Sequence, residues 1–147
     1  MINMRKLKKS INKAQKEMNK VEKKTREYLE EGFESSAKTI MDGSIARVPV
    51  DEGYLEDAHY YEVDTSKKDI EARVGLAEDM EAGDALVGDY NVWIHEGHYK
   101  LGKKSLQKQA SSSVKVGRKF LERSYLENIN EISNEMSRRL KEYYNGK

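Results

Sequence analysis

Three histidines and a run of carboxylates are the residues of this chain whose types could do chemistry. The histidines are His59, His95 and His98. His95-Glu96-Gly97-His98 looks superficially like a metalloprotease signature. That signature needs two histidines four apart on a helix, with the glutamate between them as general base. Here the spacing is three, beside a glycine, and His59 would have to arrive by the accident of folding. His95 is read instead as a bridging or capping group. Fourteen acids lie between Asp51 and Glu96. A hydrolase of sugars or phosphodiesters needs two or more held in one pocket. Glu62, Asp64, Glu71, Glu78, Asp79 and Glu81 fall on alternating strand positions or in loops, which is the pattern of a solvated face. No serine elbow, phosphate-cradling glycine loop or dinucleotide fingerprint is present. The expectation is therefore no catalysis, no cofactor and no metal. Without cysteine, thiolate metal sites and disulfide frameworks are excluded outright.

The elements that must carry these residues follow from periodicity. Leu7, Ile11, Ala14, Met18, Val21, Thr25 and Tyr28 step by four and three, the spacing of one helix face. Leu29, Phe33, Ala37, Ile40 and Met41 continue with a richer stripe. The spacing predicts a helix over 3–42, loosened near Gly32 and ended by Asp42-Gly43-Ser44. Its lysine-rich first half, residues 1–28, is expected to project from the domain. Pro49 starts a turn that Asp51-Glu52-Gly53 continues, and Tyr54-Leu55 returns to the core. Tyr61–Thr65 and Ile70–Leu76 alternate with period two around a short polar link, a hairpin signature. Ala85 to His95 reads as a third strand, with Tyr90, Val92 and Ile94 on one face and Trp93 and His95 on the other, both faces covered. Residues 98–116 carry lysines, serines and Gly102, and read as a long mobile loop that assembly would order. Leu121, Tyr125, Ile129, Ile132, Met136, Leu140 and Tyr143 mark a helix from about Arg118 to Tyr144. The fold class expected is α+β: a small twisted, largely antiparallel sheet flanked by a long N-terminal and a C-terminal helix, in one domain over 1–147.

Charge is partitioned along this plan. Residues 1–26 carry ten Lys/Arg against two acids, a net of +8. Residues 51–98 carry fourteen acids against three bases, a net of −11, and residues 99–147 carry twelve bases against five acids, a net of +7. One copy's positive face can then meet the next copy's negative face; solvated faces of a soluble domain are the alternative. The basic helix, with Lys6, Lys9 and Lys13, could touch nucleic acid through phosphates alone, since no aromatic precedes Tyr28 to stack on bases. A solvated helix, or one docked on an acidic neighbour, accounts for the same residues. The basic N-terminus is not followed by an apolar run, so no secretory signal is read there. No stretch approaches the roughly 20 apolar residues of a membrane span.

Pro49-Val50-Asp51-Glu52-Gly53-Tyr54-Leu55, then Tyr90-Asn91-Val92-Trp93-Ile94-His95-Glu96, then Gly117-Arg118-Lys119-Phe120-Leu121 and an amphipathic helix, stand in an order that resembles the neck proteins of long-tailed bacteriophages and prophages. These are also called minor capsid, head–tail joining or tail completion proteins. The resemblance covers roughly residues 45–145. It implies a small α+β domain working as a ring between the DNA-filled head and the tail, located in the virion after assembly in the host cytoplasm. Its partners would be copies of itself, a head-side connector and tail proteins. Pro49, Gly53, Leu55, Tyr90, Trp93, His95, Glu96, Gly117, Phe120 and Leu121 would be structural. Asn91 and Lys119 depart from it, standing where many relatives carry alanine and a small residue or proline. Tyr99, Lys100, Lys103 and Lys104, with the N-terminal lysines, are the candidate interface. A small nucleic-acid-binding regulator using the basic helix is the alternative.

Overall fold

The computed structural model describes residues 4–146. One uninterrupted helix, α1 (Met4–Arg47), organises everything else. It runs past both places where the sequence suggested a break. Gly43 does not end it, because its missing side chain lets the last helix approach closely, and Gly32 is buried against Met136 instead of loosening a turn. The apolar stripe that holds α1 in place begins only at Val21; residues 4–20 are exposed on every side.

After a turn at Pro49, the short helix α2 (Tyr54–Asp57) brings Leu55 into the core. The expected hairpin follows as β1 (His59–Asp64) and β2 (Glu71–Leu76), antiparallel, with His59 opposite Leu76 and Asp64 opposite Glu71. Its inward face carries Tyr61, Val63, Ala72 and Val74. Arg26 pins the hairpin tip to α1 by donating to the carbonyls of Thr65, Lys67 and Lys68 at 2.8, 2.7 and 2.9 Å.

The third strand is not there. Ala85–Leu86 (β4) pairs only with Glu81–Ala82 (β3), a single 3₁₀ turn follows at Val87–Asp89, and Asn91–Glu96 is a helix, α3. Alternation of Tyr90, Val92 and Ile94 suggested a strand, but the inward pair is Tyr90 and Ile94, four apart, as on a helix. Val92 and Trp93 face out, 64% and 59% exposed, so the expected cover over Trp93 is missing.

The segment read as a mobile loop is also built. It contains α4 (Lys103–Ser111) and ends at the buried Val116. Polar side chains hold it where an apolar stripe is lacking. Ser105 Oγ donates to the carbonyl of Val50 and accepts from its N–H, both at 2.9 Å. Lys108 Nζ donates to the carbonyls of Ile45 and Val48, at 2.7 and 2.9 Å, and to Glu56 at 2.5 Å. The lysine thus satisfies carbonyls that the end of α1 leaves open. Gln109 clamps the return, accepting from the N–H of Val116 at 2.7 Å.

The last helix, α5 (Phe120–Asn145), lies antiparallel on α1, from Ser124 beside Ile40 to Tyr143 and Tyr144 beside Tyr28 and Thr25. The dry core sits at one end of the molecule: Val48, Leu55, Ala58, Val87 and Phe120, with Tyr90, Ile94 and Leu121 packed against it. The α+β class, the two flanking helices and the small antiparallel sheet are therefore as the sequence implied.

Candidate functional site

The three separated motifs meet at Phe120, whose ring is fully buried. Gly117, at φ +132°, adopts a backbone that side-chain-bearing residues rarely reach, and it turns the chain into α5. Its N–H donates to the carbonyl of Arg47 at 2.9 Å, tying the turn to the end of α1. Phe120 then enters between two imidazoles. His95 meets it edge to face with centroids 4.7 Å apart, and His59 lies tilted at 5.9 Å. Leu55, from the Pro49-to-Leu55 turn, completes the contact.

A polar string runs over this knot. The N–H of Lys119 donates to the carbonyl of His95 at 2.7 Å, which holds Lys119 at its left-handed φ of 56°. His95 Nδ1 donates to Glu96 Oε1 at 2.6 Å, Glu96 Oε2 pairs with Lys119 Nζ at 3.3 Å, and Lys119 pairs with Glu122 at 2.5 Å. The hydrogen bond from His95, then that from Lys119, holds the Glu96 carboxyl below its usual range. Lys119 is raised by Glu122 and then by Glu96. The departure at Lys119 is thus a surface ion-pair node joining α3 to α5. The departure at Asn91 is a buried side chain whose Oδ1 has no partner.

Each histidine is engaged by different neighbours. His59 Nδ1 reaches the carbonyl of Leu55 at 2.6 Å and Nε2 reaches Ser44 Oγ at 2.8 Å. A carbonyl only accepts, so Nδ1 carries the proton and Ser44 donates to Nε2. Burial pushes the His59 pKa down, against the opposing pull of that carbonyl. His98 bonds Arg118. No three of the His, Asp and Glu side chains among the described residues stand together as a metal site would require. The carboxylates of β1 and β2 pair outward, Glu62 and Glu71 both on Arg73.

Two open surfaces adjoin the motif residues. A cleft of about 560 Å³ opens beside the Pro49 turn, lined by Tyr54, Tyr90, Trp93, Tyr99, Lys100 and Lys104. Tyr99 is not the exposed anchor the sequence suggested. Its hydroxyl donates to the carbonyl of Ile94 at 2.7 Å and its ring lies 5.4 Å from that of Trp93, which is the exposed partner of the two. Lys104 donates to the Asp51 carbonyl at 2.5 Å, whereas Lys100 and Lys103 extend into solvent. The second surface is an apolar groove of about 620 Å³ between the hairpin and α5, which both lie against α1 and leave a gap between them. Phe33, Ala37 and Ile40 form its floor, Ala72 and Val74 one wall, and Tyr125, Ile129 and Met136 the other.

Lys6, Lys9 and Lys13 stand on the exposed arm of α1, along with Leu7, Ile11 and Met18, which are 44%, 49% and 70% exposed. The groove and the polar clamp on α4 were not foreseen. Ser105, Lys108 and Gln109 share one helical face at spacings of three and four, a polar stripe that could have signalled the clamp. No described helix is long and apolar enough to cross a membrane. No family model, curated protein or solved structure matches the chain.

Proposed function

We propose that this chain is a structural virion protein of the phage or prophage head–tail junction, a ring-forming neck or tail completion subunit that helps join the filled head to the tail. One observation carries the reading. The three motifs on which the resemblance rests, spread from Pro49 to Leu121, converge around one buried side chain, Phe120. Leu55, Tyr90, His95, Gly117 and Phe120 each have a packing or backbone role there. A family signature of structural residues is expected to fold into such a knot.

The arrangement of surfaces supports the same reading. A ring subunit needs two different faces that complement each other. This chain offers a basic helical arm with an apolar stripe and, elsewhere, an open apolar groove. The stripe favours a protein partner for the arm over phosphates alone, which need charge but no leucines.

The test is electron microscopy of particles made by a phage whose gene for this chain is deleted. Filled heads separated from complete tails, restored to joined particles by supplying the protein in trans, are the expected result. Normal joined virions without the protein would overturn the proposal.

A further inference from the structure

We infer that residues 4–20 of one copy lie in the apolar groove of a second copy, between its hairpin and its α5, so that the subunits join arm to groove, head to tail. This deepens the reading above and rests on it for the ring, but the contact itself is argued from this chain alone.

Three observations lead to it. The first is geometric. The arm and the groove floor belong to the same unbroken helix, since Leu7 and Phe33 both lie in α1. A straight helix cannot fold back on itself, so the exposed stripe of Leu7, Ile11 and Met18 cannot reach its own groove. It is left open to a second copy.

The second is size and pattern. Seventeen helical residues, 4–20, span about 25 Å, and the α5 wall from Leu121 to Met136 spans about 22 Å at the same rise per residue. Leu7, Ile11, Ala14 and Met18 recur at the four-and-three spacing with which amphipathic helices fill apolar grooves.

The third is charge. The arm carries seven Lys/Arg against Glu17, a net of +6, so two arms repel each other and are poor partners. The helices beside the groove are acidic. Residues 27–40 of α1, to the end of the groove floor, hold four glutamates against Lys38, and residues 120–136 of α5 hold four glutamates against Arg123. Some are paired within the chain, as Glu30 with Arg26 and Glu122 with Lys119, but Glu34, exposed beside the groove floor, has no ion pair among the described residues. An arm laid in the groove would set its lysines against these rims and bury its stripe.

The absence of native cysteine makes the test direct. Ile11→Cys protein is mixed with Tyr125→Cys protein and treated with a short bis-maleimide. Val92→Cys, on an exposed site away from the groove, replaces Tyr125→Cys as a control. Mixed Ile11–Tyr125 dimers are expected, with little Ile11–Ile11 or Ile11–Val92 product. The double variant Ile11→Cys/Tyr125→Cys should give a ladder of covalent oligomers. In parallel, Leu7→Ser/Ile11→Ser should weaken self-association about 100-fold, from the loss of two buried aliphatic side chains. The melting temperature of the dissociated protein should not change, because both side chains are exposed on the arm.

Dominant Ile11–Ile11 product would overturn the inference in favour of paired arms. Dominant Ile11–Val92 product would overturn it and move the contact to the exposed side of α3. Oligomers that form without the Ile11–Tyr125 link would discard arm-in-groove docking while leaving a ring intact. A protein that stays monomeric and uncross-linked at every concentration would discard it too. The link forming in a protein that proves dispensable for joined virions would leave this contact standing and remove the head–tail proposal.

Discussion

The hydroxyl of Ser124 occupies the space into which a side chain on Gly43 would project: a Cβ there would lie 2.3 Å from Oγ. The same hydroxyl donates to the carbonyl of Ile40 at 2.6 Å, so it is fixed against α1 and cannot simply rotate away. The two long helices therefore touch at a glycine–serine contact, fully buried on the serine side.

Gly43→Ala should destabilise the fold by about 1–3 kcal/mol, the usual range for overpacking, even though alanine favours the helix by about 1 kcal/mol. Thermal or denaturant unfolding checks this. Adding Ser124→Gly should recover part of the loss. A midpoint equal to or above that of the native chain would show that the helices can separate at no cost.

Phe120→Ala should cost about 3–5 kcal/mol, because the ring is fully buried and its neighbours come from four different elements that cannot all collapse into the gap. An unchanged melting temperature would remove Phe120 from the centre of the fold.

His59 should make the protein sensitive to mild acid. Its folded pKa lies below the unfolded value of about 6.5, so the unfolded chain binds the proton more readily. Stability contributed by the neutral ring is complete above that value. It is lost as the pH falls from there toward the folded pKa. Unfolding midpoints measured across this window should slope downward toward acid, and His59→Asn should flatten that component. An equal slope in the variant would assign it to other groups.

Amide exchange should be fast over residues 4–20 in the free protein and slow over 103–111. The arm has no packing to resist local opening, whereas α4 is fastened by Ser105, Lys108 and Gln109. Lys108→Met should raise exchange through α4 and at the end of α1 together, since one ammonium serves both. Slow exchange across the arm of a proven monomer would contradict the exposed helix.

The sequence revealed the elements that bury a periodic stripe and hid those that do not. The long helices and the hairpin were legible because Phe33, Ile40, Ile129 and Met136, or Tyr61, Val63, Ala72 and Val74, repeat at the spacing of their element. The helix after Gly97 was missed because its anchoring comes from a serine and a lysine bonding to backbone carbonyls, and composition says nothing of where a polar side chain finds its acceptor. Tyr90–His95 was misread because Val92, an exposed residue, happens to complete an alternating pattern over six positions, too few to separate the two periods. Leu55, Tyr90, His95, Gly117 and Phe120 were each singled out in the sequence by residue type and spacing. Their common meeting point was not, because it depends on which elements cross.

A single helix that begins in solvent and ends in the core ties the arm's length to its phase. Each residue inserted into the arm would advance its tip by about 1.5 Å and rotate the stripe by about 100°. One or two added residues therefore turn Leu7 and Ile11 away from whatever they were meant to face. Seven restore the heading to within about 20° while displacing the tip by about 10 Å. With the arm docked in a second copy's groove as inferred above, the distance and the azimuth between copies would follow from a single number, the count of residues between Leu7 and Val21, and changes in that count would be tolerated best in steps of a heptad.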